Sequence, residues 1–257
     1  MALMVDAPIV LPEAFWELHR GLPRQGPGDD ASTRRAFRAL GRLPERPRVA
    51  DIGCGSGMQT LELARLTRGT ITAVDLFPEL LEELRRRAER EGLGERIATL
   101  QGDMAALPFP EGSIDLFWSE GAIYLMGFEA GLAAWRPMLQ PGGALVCSEA
   151  SWLRDDAPEE PARFWQDSYP AMGSIETNIA RAVRAGYEVL ETFPLPGESW
   201  WTHYYAPISE RLPDLRRRYA DDPENLAALD AEAGEIELHR RFGRYYGYAF
   251  YVMRRAD

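Results

Sequence analysis

A glycine-rich turn between a β-type run and a helix-forming run constrains the fold of this chain most. Residues 49–57 read Val-Ala-Asp-Ile-Gly-Cys-Gly-Ser-Gly, and the helix-forming stretch Met-Gln-Thr-Leu-Glu-Leu-Ala follows at 58–64. Glycine lacks a Cβ, so it can adopt positive φ and let a ligand approach the backbone closely. The first N–H groups of a helix have no intrahelical partner. The sequence therefore predicts a ligand site at the carboxyl end of this strand.

The spacing of the glycines narrows the type of ligand. A dinucleotide fingerprint, G-x-G-x-x-G, would need a third glycine at position 58, which is Met58. The pattern is D-x-G-x-G-x-G instead, with Asp51 ahead of Gly53, Gly55 and Gly57. An acid close to exposed backbone N–H groups offers a ligand both an acceptor and donors.

Three further acids end or follow predicted strands at regular intervals. Asp75 ends the β-branched run at 70–75, the third predicted strand at 97–104 ends in Gly-Asp-Met with Asp103, and Glu120 ends the run at 113–120. Residues 139–143 read Leu-Gln-Pro-Gly-Gly and lead into a fifth strand. The carboxyl ends of parallel strands meet at one edge of a sheet, so we expect the acids to lie at that edge.

These five motifs, in this order over about residues 48–150, resemble those of the class I S-adenosylmethionine-dependent methyltransferases of the small-molecule type. The resemblance implies that S-adenosylmethionine is the cofactor and S-adenosylhomocysteine its product. It implies that the glycine loop wraps the methionine part and that Asp51 holds the ammonium group, directly or through water. It also implies that Asp103 binds the adenine amino group while Met104 packs on the ring. The predicted cofactor-binding residues are Asp51, Gly53, Gly55, Gly57, Asp75, Leu76, Asp103, Met104 and Glu120.

Each strand-end acid also has a structural interpretation. Asp75, which could take both ribose hydroxyls as donors, could instead cap the following helix, and Asp103 could be a turn residue before the proline-rich segment at 107–110. Asp115 lies inside a strand, so we expect a structural role for it. The glycine loop alone would fit a dinucleotide equally well, and the joint occurrence of the motifs favours the cofactor interpretation.

The alternation of strands and helices predicts an α/β fold with a doubly wound, mostly parallel sheet. Strands one and two are predicted at about 48–52 and 70–75. Predicted helices span about 33–40, 57–67, 78–91, 128–138 and 176–185, and a long irregular excursion follows strand five. The family resemblance implies a Rossmann-like, seven-stranded sheet of order 3-2-1-4-5-7-6, with the last strand, about 246–253, antiparallel and a helical cover. We expect residues 1–40 to form an N-terminal helical lid and 41–257 the cofactor-binding domain. Its insertion at about 194–243 is expected to form a helical cover over the acceptor site.

Composition limits the partners. The 29 basic and 40 acidic residues give a formal net charge of −11, which argues against binding a nucleic-acid backbone. Two cysteines favour neither a disulfide framework nor a metal site. No leader and no apolar run near 18 residues stands out, so no membrane interaction is expected and the cytoplasm is the default location. A monomer and a homodimer both stay open.

The acceptor site is expected to combine carboxylates with aromatic side chains. Transfer of a methyl group from a sulfonium sulfur needs a nucleophile aligned with the methyl group and an apolar pocket that excludes water. Candidate catalytic residues are Glu120, Tyr124 and His203, with a structural role as the alternative for His203. Candidate substrate-binding residues are Trp16, Glu149, Trp152, Trp200, Trp201 and Tyr204. The run 200–205 holds six adjacent residues, which we do not expect to face one core together.

The identity of the acceptor stays open, but its class is limited. Residues 118–121 read Trp-Ser-Glu-Gly, which departs from the N/D-P-P-Y/F signature of enzymes that methylate adenine amines. A small molecule is therefore expected, and the acids and aromatics favour an amine or another neutral-to-cationic metabolite. Two alternative functions remain: a nicotinamide-dependent oxidoreductase, disfavoured by Met58 and the Pro-Gly-Gly turn, and a catalytically silent protein that binds S-adenosylmethionine.

Overall fold

One mixed sheet forms the centre of the protein. The computed structural model describes residues 11–257. The strands are β1 (Arg48–Ile52), β2 (Thr70–Asp75), β3 (Ile97–Gln101), β4 (Ile114–Glu120), β5 (Leu139–Trp152), β6 (Gly173–Ser174), β7 (Tyr187–Pro194) and β8 (Tyr246–Arg255). Their order is β3-β2-β1-β4-β5-β8-β7, and β6 pairs with the end of β5. Strand β8 is antiparallel to both its neighbours, while the other pairs are parallel. The predicted strand order is confirmed once the two-residue β6 is counted separately.

Helices cover both faces of this sheet. They are α1 (Glu13–His19), α2 (Asp30–Ala39), α3 (Met58–Leu66), α4 (Pro78–Arg90), α5 (Phe128–Trp135), α6 (Glu159–Ser168), α7 (Ile175–Arg184), α8 (Glu198–Trp200), α9 (Ala206–Arg218) and α10 (Pro223–Phe242). Successive strand residues point to opposite faces. Accordingly, Trp118 of β4 packs in a core cluster with α3 and α4, and its neighbour Phe117 packs in a second cluster with α5 and α7. Both faces are apolar because both are covered.

The N-terminal and inserted helices join the first of these two cores. Leu18 of α1, Ala36 of α2, Ile208 of α9 and Ile236 of α10 all belong to the cluster that contains Trp118. Helix α2 begins at Asp30, earlier than the predicted residue 33, because the Asp29 carboxylate accepts a hydrogen bond from the Ser32 N–H at 2.7 Å. The predicted lid at 1–40 includes residues 1–10, which lie outside the described residues. Its action as a lid, and the role of 194–243 as an acceptor cover, stay predictions.

Two segments differ from the sequence-based expectation. The excursion after strand five contains helix α6, which follows Pro158, carries acids in its first turn and packs Trp165 against Tyr246 with ring centroids 5.1 Å apart. Strand β3 ends at Gln101, so Asp103 and Met104 lie in a turn beyond it, where the Asp103 carbonyl accepts from the Ala106 N–H at 3.0 Å. Within residues 11–257, no helix has the length and apolar character needed to span a membrane.

The turn from β1 to α3 depends on glycine at residue 57. Gly57 has a φ of 83° and forms the N-cap of α3. A Cβ at this position would also collide with the Cδ1 atom of Leu84 on α4. Residues other than glycine rarely adopt this φ, and a collision in a packed core cannot be relieved without movement of the neighbouring helix.

We expect Gly57→Ala to lower the free energy of unfolding by about 1–3 kcal/mol, since it combines backbone strain with a clash. The matched control is Gly234→Ala, in the middle of α10, where a Cβ would meet open space. That change is expected to raise the free energy of unfolding by about 0.5–1 kcal/mol. Urea unfolding of both variants checks the pair, and a Gly57→Ala protein as stable as the unmutated chain would contradict this account.

Candidate functional site

The glycine loop presents bare backbone between β1 and α3. Gly53, Gly55 and Gly57 have φ values of 68°, 54° and 83°, so all three occupy the left-handed region. The N–H groups of Gly53 and Cys54 both donate to the Val74 carbonyl of β2. A Cβ on Gly53 would collide with the methyl group of Ala122 just beyond β4. The loop is therefore fixed between two strands with no side chain of its own over the glycines.

Asp75 ties this loop to the end of β2. Its carboxylate accepts hydrogen bonds from the N–H of Gly55 at 2.8 Å and from the N–H of Phe77 at 3.0 Å. Burial raises the pKa of Asp75, and these two backbone hydrogen bonds oppose that rise. The acid thus has a structural function at the loop, beside the ribose-binding role that the sequence predicts.

Asp51 is fully buried at the base of the loop. Its Oδ2 accepts from the Thr60 hydroxyl at 2.5 Å, whereas its Oδ1 has no hydrogen-bond partner. Burial raises the pKa of Asp51 to about 7 and the charge of Glu120 adds to this rise, whereas the Thr60 hydroxyl and the nearby Gln59 amide oppose it. A buried carboxylate oxygen without a donor is costly, so it is a candidate contact for a ligand N–H group.

The segment between α1 and α2 lies over the glycine loop. A Cβ on Gly55 would be 3.1 Å from Cγ of Gln25, so the two chains are in close contact there. Arg24 is only 5% exposed, forms an ion pair with Glu120 and leaves its Nη1 without a partner. The guanidinium lies where a Cβ on Gly28 would overlap it, so glycine at 28 lets Arg24 fold back.

Arg24 is a candidate site residue that the sequence analysis did not select. Its only sequence signal is the flexible, glycine- and proline-rich stretch at 24–28 that surrounds it. The partner Glu120 lies 96 positions away along the chain, so no local pattern connects them.

Both carboxylate oxygens of Glu120 accept hydrogen bonds. Besides Arg24, it accepts from the Thr33 hydroxyl at 2.7 Å and from the Trp118 indole N–H at 2.9 Å. Three donors on two oxygens suit an ionised carboxylate that positions the N-terminal segment. These contacts weigh against Glu120 as the general base, and its catalytic assignment stays a prediction.

The other predicted cofactor residues lie along the rim beyond β2 and β3. Leu76 is 40% exposed, and the exposed Asp103 accepts from the Ala105 N–H at 2.8 Å. Met104 is half-buried, and its carbonyl accepts from the Trp135 indole at 2.9 Å. The Asp115 carboxylate accepts hydrogen bonds from the backbone N–H of Arg48 at 2.7 Å and from the Arg48 guanidinium. This is the structural role expected for Asp115.

A second group of acids and tyrosines lies over the ends of β4 and β5. Glu149 is 1% exposed and its Oε2 has no hydrogen-bond partner. Burial raises the pKa of Glu149 to about 8, although Arg181 and the nearby Tyr169 hydroxyl oppose the rise. Burial also raises the pKa of Tyr124 to about 12, with smaller contributions from Glu235, Glu149 and Glu232. Glu149 is thus close enough to act on the Tyr124 hydroxyl by its charge, as are two acids of α10 that the sequence analysis did not select.

The aromatic run at 200–205 packs more uniformly than the sequence suggests. Residues Trp201–Tyr205 form a π-helical turn between α8 and α9. Trp200 and Tyr205 are buried, and Trp201 and Tyr204 pack against the same core cluster. Thr202 is exposed and His203 is half-buried. The wider spacing of a π turn places four rings on one side.

The remaining predicted acceptor residues are dispersed. Trp200 stacks on His239 with centroids 4.3 Å apart, and Trp152 packs edge-on against Tyr246 at 6.3 Å. Trp16 packs edge-on against Phe77 at 4.9 Å and lines a cleft of about 390 Å³ between α1 and α4. His203 is half-buried in the π-helical turn. Their substrate-binding and catalytic roles stay predictions.

Comparison with known proteins gives the family. A family model described as a methyltransferase domain matches residues 49–143. The chain is 32% identical over 161 residues to a demethylmenaquinone methyltransferase of Thermus thermophilus, a match that covers 62% of this chain and 71% of that protein. The chain belongs to the S-adenosylmethionine-dependent methyltransferases. It is also 29% identical over 221 residues to a 27-O-demethylrifamycin SV methyltransferase of Amycolatopsis mediterranei, which covers 82% of this chain and 78% of the relative.

The fold comparison agrees with this family. A methyltransferase structure from Geobacter sulfurreducens, described as a complex with S-adenosylhomocysteine, superposes with a TM-score of 0.80 at 21% identity and covers 95% of this chain and 98% of that one. The chain spans about half the length of other curated relatives it matches, 53% for the sterol 24-C-methyltransferase of Gibberella zeae. Among residues 11–257 there is no group of three His, Cys, Asp or Glu side chains placed to hold a metal ion.

The raised pKa of Glu149 predicts a pH-dependent contribution to stability. In the unfolded chain this group ionises near its ordinary value of 4.5, whereas in the folded protein it ionises near 8. The folded state therefore keeps the proton longer, and Glu149 lowers stability increasingly as the pH rises from about 4.5 to about 8. Below that window the penalty is absent.

We expect Glu149→Gln to be more stable, relative to the unmutated chain, at pH 8 than at pH 5. The difference in free energy of unfolding between variant and unmutated chain should rise by about 1 kcal/mol or more between these pH values, since glutamine has no charge to bury. Urea unfolding at both pH values measures this difference of differences. The exposed Glu237→Gln, on α10, should show no such change. A pH-independent effect of Glu149→Gln would mean that Glu149 titrates normally.

Proposed function

We propose that the chain transfers a methyl group from S-adenosylmethionine to a small-molecule acceptor by direct displacement. One observation carries the cofactor assignment: two buried atoms beside the glycine loop, Asp51 Oδ1 and Arg24 Nη1, lack partners and have opposite hydrogen-bonding character. Arg24 lies close enough to lower the pKa of Asp51 by its charge. An ammonium group would satisfy the first atom and a carboxylate the second, which is the chemistry of the methionyl end of the cofactor.

The remaining cofactor contacts follow from position along the sheet. Asp75 at the end of β2 is the candidate for the ribose hydroxyls, and Asp103 and Met104 beyond β3 are candidates for adenine. The glycines at 53, 55 and 57 leave backbone N–H groups open to a close ligand. These assignments extend the cofactor from β1 towards β3, so the acceptor is expected over β4 and β5.

Bound S-adenosylmethionine supplies an electrophilic methyl group on a sulfonium sulfur, whose leaving group is already activated. The residues of the chain therefore have to position the acceptor and exclude water rather than polarise a bond. The Arg24–Glu120 pair supports this function because it keeps the segment at 20–29 over the loop. Tyr124 and Glu149 are the candidates to contact the acceptor at the ends of β4 and β5.

The alternatives remain distinguishable by experiment. A nicotinamide-dependent oxidoreductase would be protected against heat by a nicotinamide nucleotide rather than by S-adenosylhomocysteine. A silent binding protein would bind the cofactor but release no S-adenosylhomocysteine with any acceptor. The predicted cytoplasmic location, the absence of nucleic-acid partners and the choice between monomer and homodimer stay predictions.

We expect Asp75→Ala to weaken S-adenosylhomocysteine binding ten-fold or more, about 1.4 kcal/mol, because a charge-assisted contact and the anchor of the loop are both lost. Isothermal titration calorimetry measures the affinity. Asp155→Ala removes an exposed acid in the loop after β5 and serves as the control. Unchanged affinity in Asp75→Ala would remove Asp75 from the cofactor site.

Arg24→Gln is expected to weaken S-adenosylhomocysteine binding about ten-fold or more, because the carboxylate of the ligand loses a charged donor. Binding of 5′-methylthioadenosine, which lacks the amino-acid end, should change less than about three-fold on the same argument. Calorimetry with both ligands gives the comparison. Equal losses for the two ligands would assign Arg24 to the fold alone, since a general distortion affects both.

A further inference from the structure

The cleft between α1 and α4 reaches the two elements that the proposed cofactor has to bridge. Its lining includes Gln25 and three residues at 79–83, in the first two turns of α4. Gln25 lies against the glycine loop, because its Cγ is 3.1 Å from where a Cβ on Gly55 would stand. Helix α4 begins at Pro78, directly beyond β2. The cleft of about 390 Å³ therefore extends from the loop after β1 to the end of β2.

Trp16 lines this cleft from the α1 side. Ala14 and Leu18 are fully buried, lie four residues apart and belong to the face of α1 that packs towards α9 and α10. Trp16 is two positions from each of them, so it projects from the opposite face of the helix. The Ala14 N–H donates to Asn225 Oδ1 of α10 at 2.7 Å, and the Leu18 carbonyl accepts from Arg211 of α9 at 2.8 Å. These contacts fix α1, and Trp16 with it, at the cleft.

Trp16 lies near the end of β2 rather than at the end of β4. Its ring packs edge-on against Phe77 with centroids 4.9 Å apart, and the Phe77 N–H donates to Asp75 Oδ1 at 3.0 Å. Only Phe77 thus stands between Trp16 and the candidate acid for the ribose hydroxyls. In the sheet order, β1 lies between β2 and β4. Neighbouring strands are about 4.8 Å apart, so the ends of β2 and β4 are separated by about 10 Å.

The lining of the cleft suits a neutral group better than an ion. Its acidic and arginine side chains are of both signs, and the rim therefore favours neither an anion nor a cation. They are Glu13, Glu79, Glu83, Arg20 and Arg86. Trp16 and Leu80 add apolar surface, and both are half-buried, so part of each side chain is free to contact a ligand. A nucleoside, which has a neutral aromatic base, is complementary to this combination.

We propose that Trp16 contacts the adenosine part of the bound cofactor and closes the site at the end of β2. This inference rests on the proposed methyl transfer, and it moves Trp16 from the predicted acceptor contacts to the cofactor contacts. It is carried by the position of Trp16 beside Phe77 and Asp75, in a cleft whose other wall reaches the glycine loop. Arg24 and Trp16 then act on different parts of the cofactor: Arg24 on the amino-acid end and Trp16 on the nucleoside.

Calorimetry with S-adenosylhomocysteine and 5′-methylthioadenosine measures this division. Both ligands contain adenosine, so Trp16→Ala should weaken both by a similar factor of about five or more, since each loses the same aromatic contact. Trp16→Phe keeps an aromatic ring and should weaken both by less than about three-fold. The matched control is Trp165→Ala, which removes a half-buried indole from α6 and should leave both affinities unchanged.

A direct signal separates ligand contact from a change in the fold. The chain has seven tryptophans, so protein labelled with fluorotryptophan should give seven fluorine resonances in an NMR spectrum. Trp16→Phe removes one of them and thereby assigns the resonance of Trp16. We expect this resonance to shift when 5′-methylthioadenosine saturates the protein.

A Trp16 resonance that does not respond to saturating 5′-methylthioadenosine would overturn the inference, and so would unchanged affinity for both ligands in Trp16→Ala. A loss confined to S-adenosylhomocysteine would also overturn it, because it would place Trp16 at the amino-acid end. The resonance and the Trp16→Phe protein keep the test decisive if Trp16→Ala does not fold. If neither ligand binds the unmutated chain, the proposed function fails instead.

Discussion

The ion pair between Arg24 and Glu120 is the interaction on which the site depends. It joins the segment before α2 to the end of β4, and both side chains are almost fully buried. Loss of one partner from a buried pair leaves the other charge without compensation, at a cost of about 3–5 kcal/mol. Thr33 and Trp118 donate the other hydrogen bonds to the Glu120 carboxylate. The N-terminal segment is therefore part of the site rather than an appendage to it.

The charges left over by this arrangement define two regions along the sheet edge. Beside the glycine loop, one buried acceptor of Asp51 and one buried donor of Arg24 are unmatched, and together they suit a ligand with both an ammonium and a carboxylate group. Above β4 and β5, Glu149 is buried with an Oε2 atom that has no hydrogen-bond partner, and Arg181 acts on its charge. On the proposed function, the first region takes the methionyl end of the cofactor and the second lies at the acceptor end.

Local sequence signals were sufficient for the sheet but not for the contacts across it. The bounds of β1 and β2 match the predicted 48–52 and 70–75, because glycine and acidic residues end each β-branched run sharply. The pairing of Arg24 with Glu120 could not be predicted, since it joins residues far apart in sequence. Glu232 and Glu235 sit among alternating alanines and acids that read as a solvated helix face, and only the packing of α10 buries them. Helix α6 was not predicted, although Pro158 and the acids of its first turn are local signals of a helix start, and its Trp165 packs on Tyr246.

A crystal structure of the protein with S-adenosylhomocysteine would show whether Asp51 and Arg24 bind the cofactor beside the glycine loop. We expect electron density along the ends of β1, β2 and β3, with the amino-acid end of the ligand between Asp51 and Arg24 and its thioether sulfur directed towards Tyr124. Ligand density confined to the cleft between α1 and α4, or an amino-acid end that touches neither Asp51 nor Arg24, would contradict it.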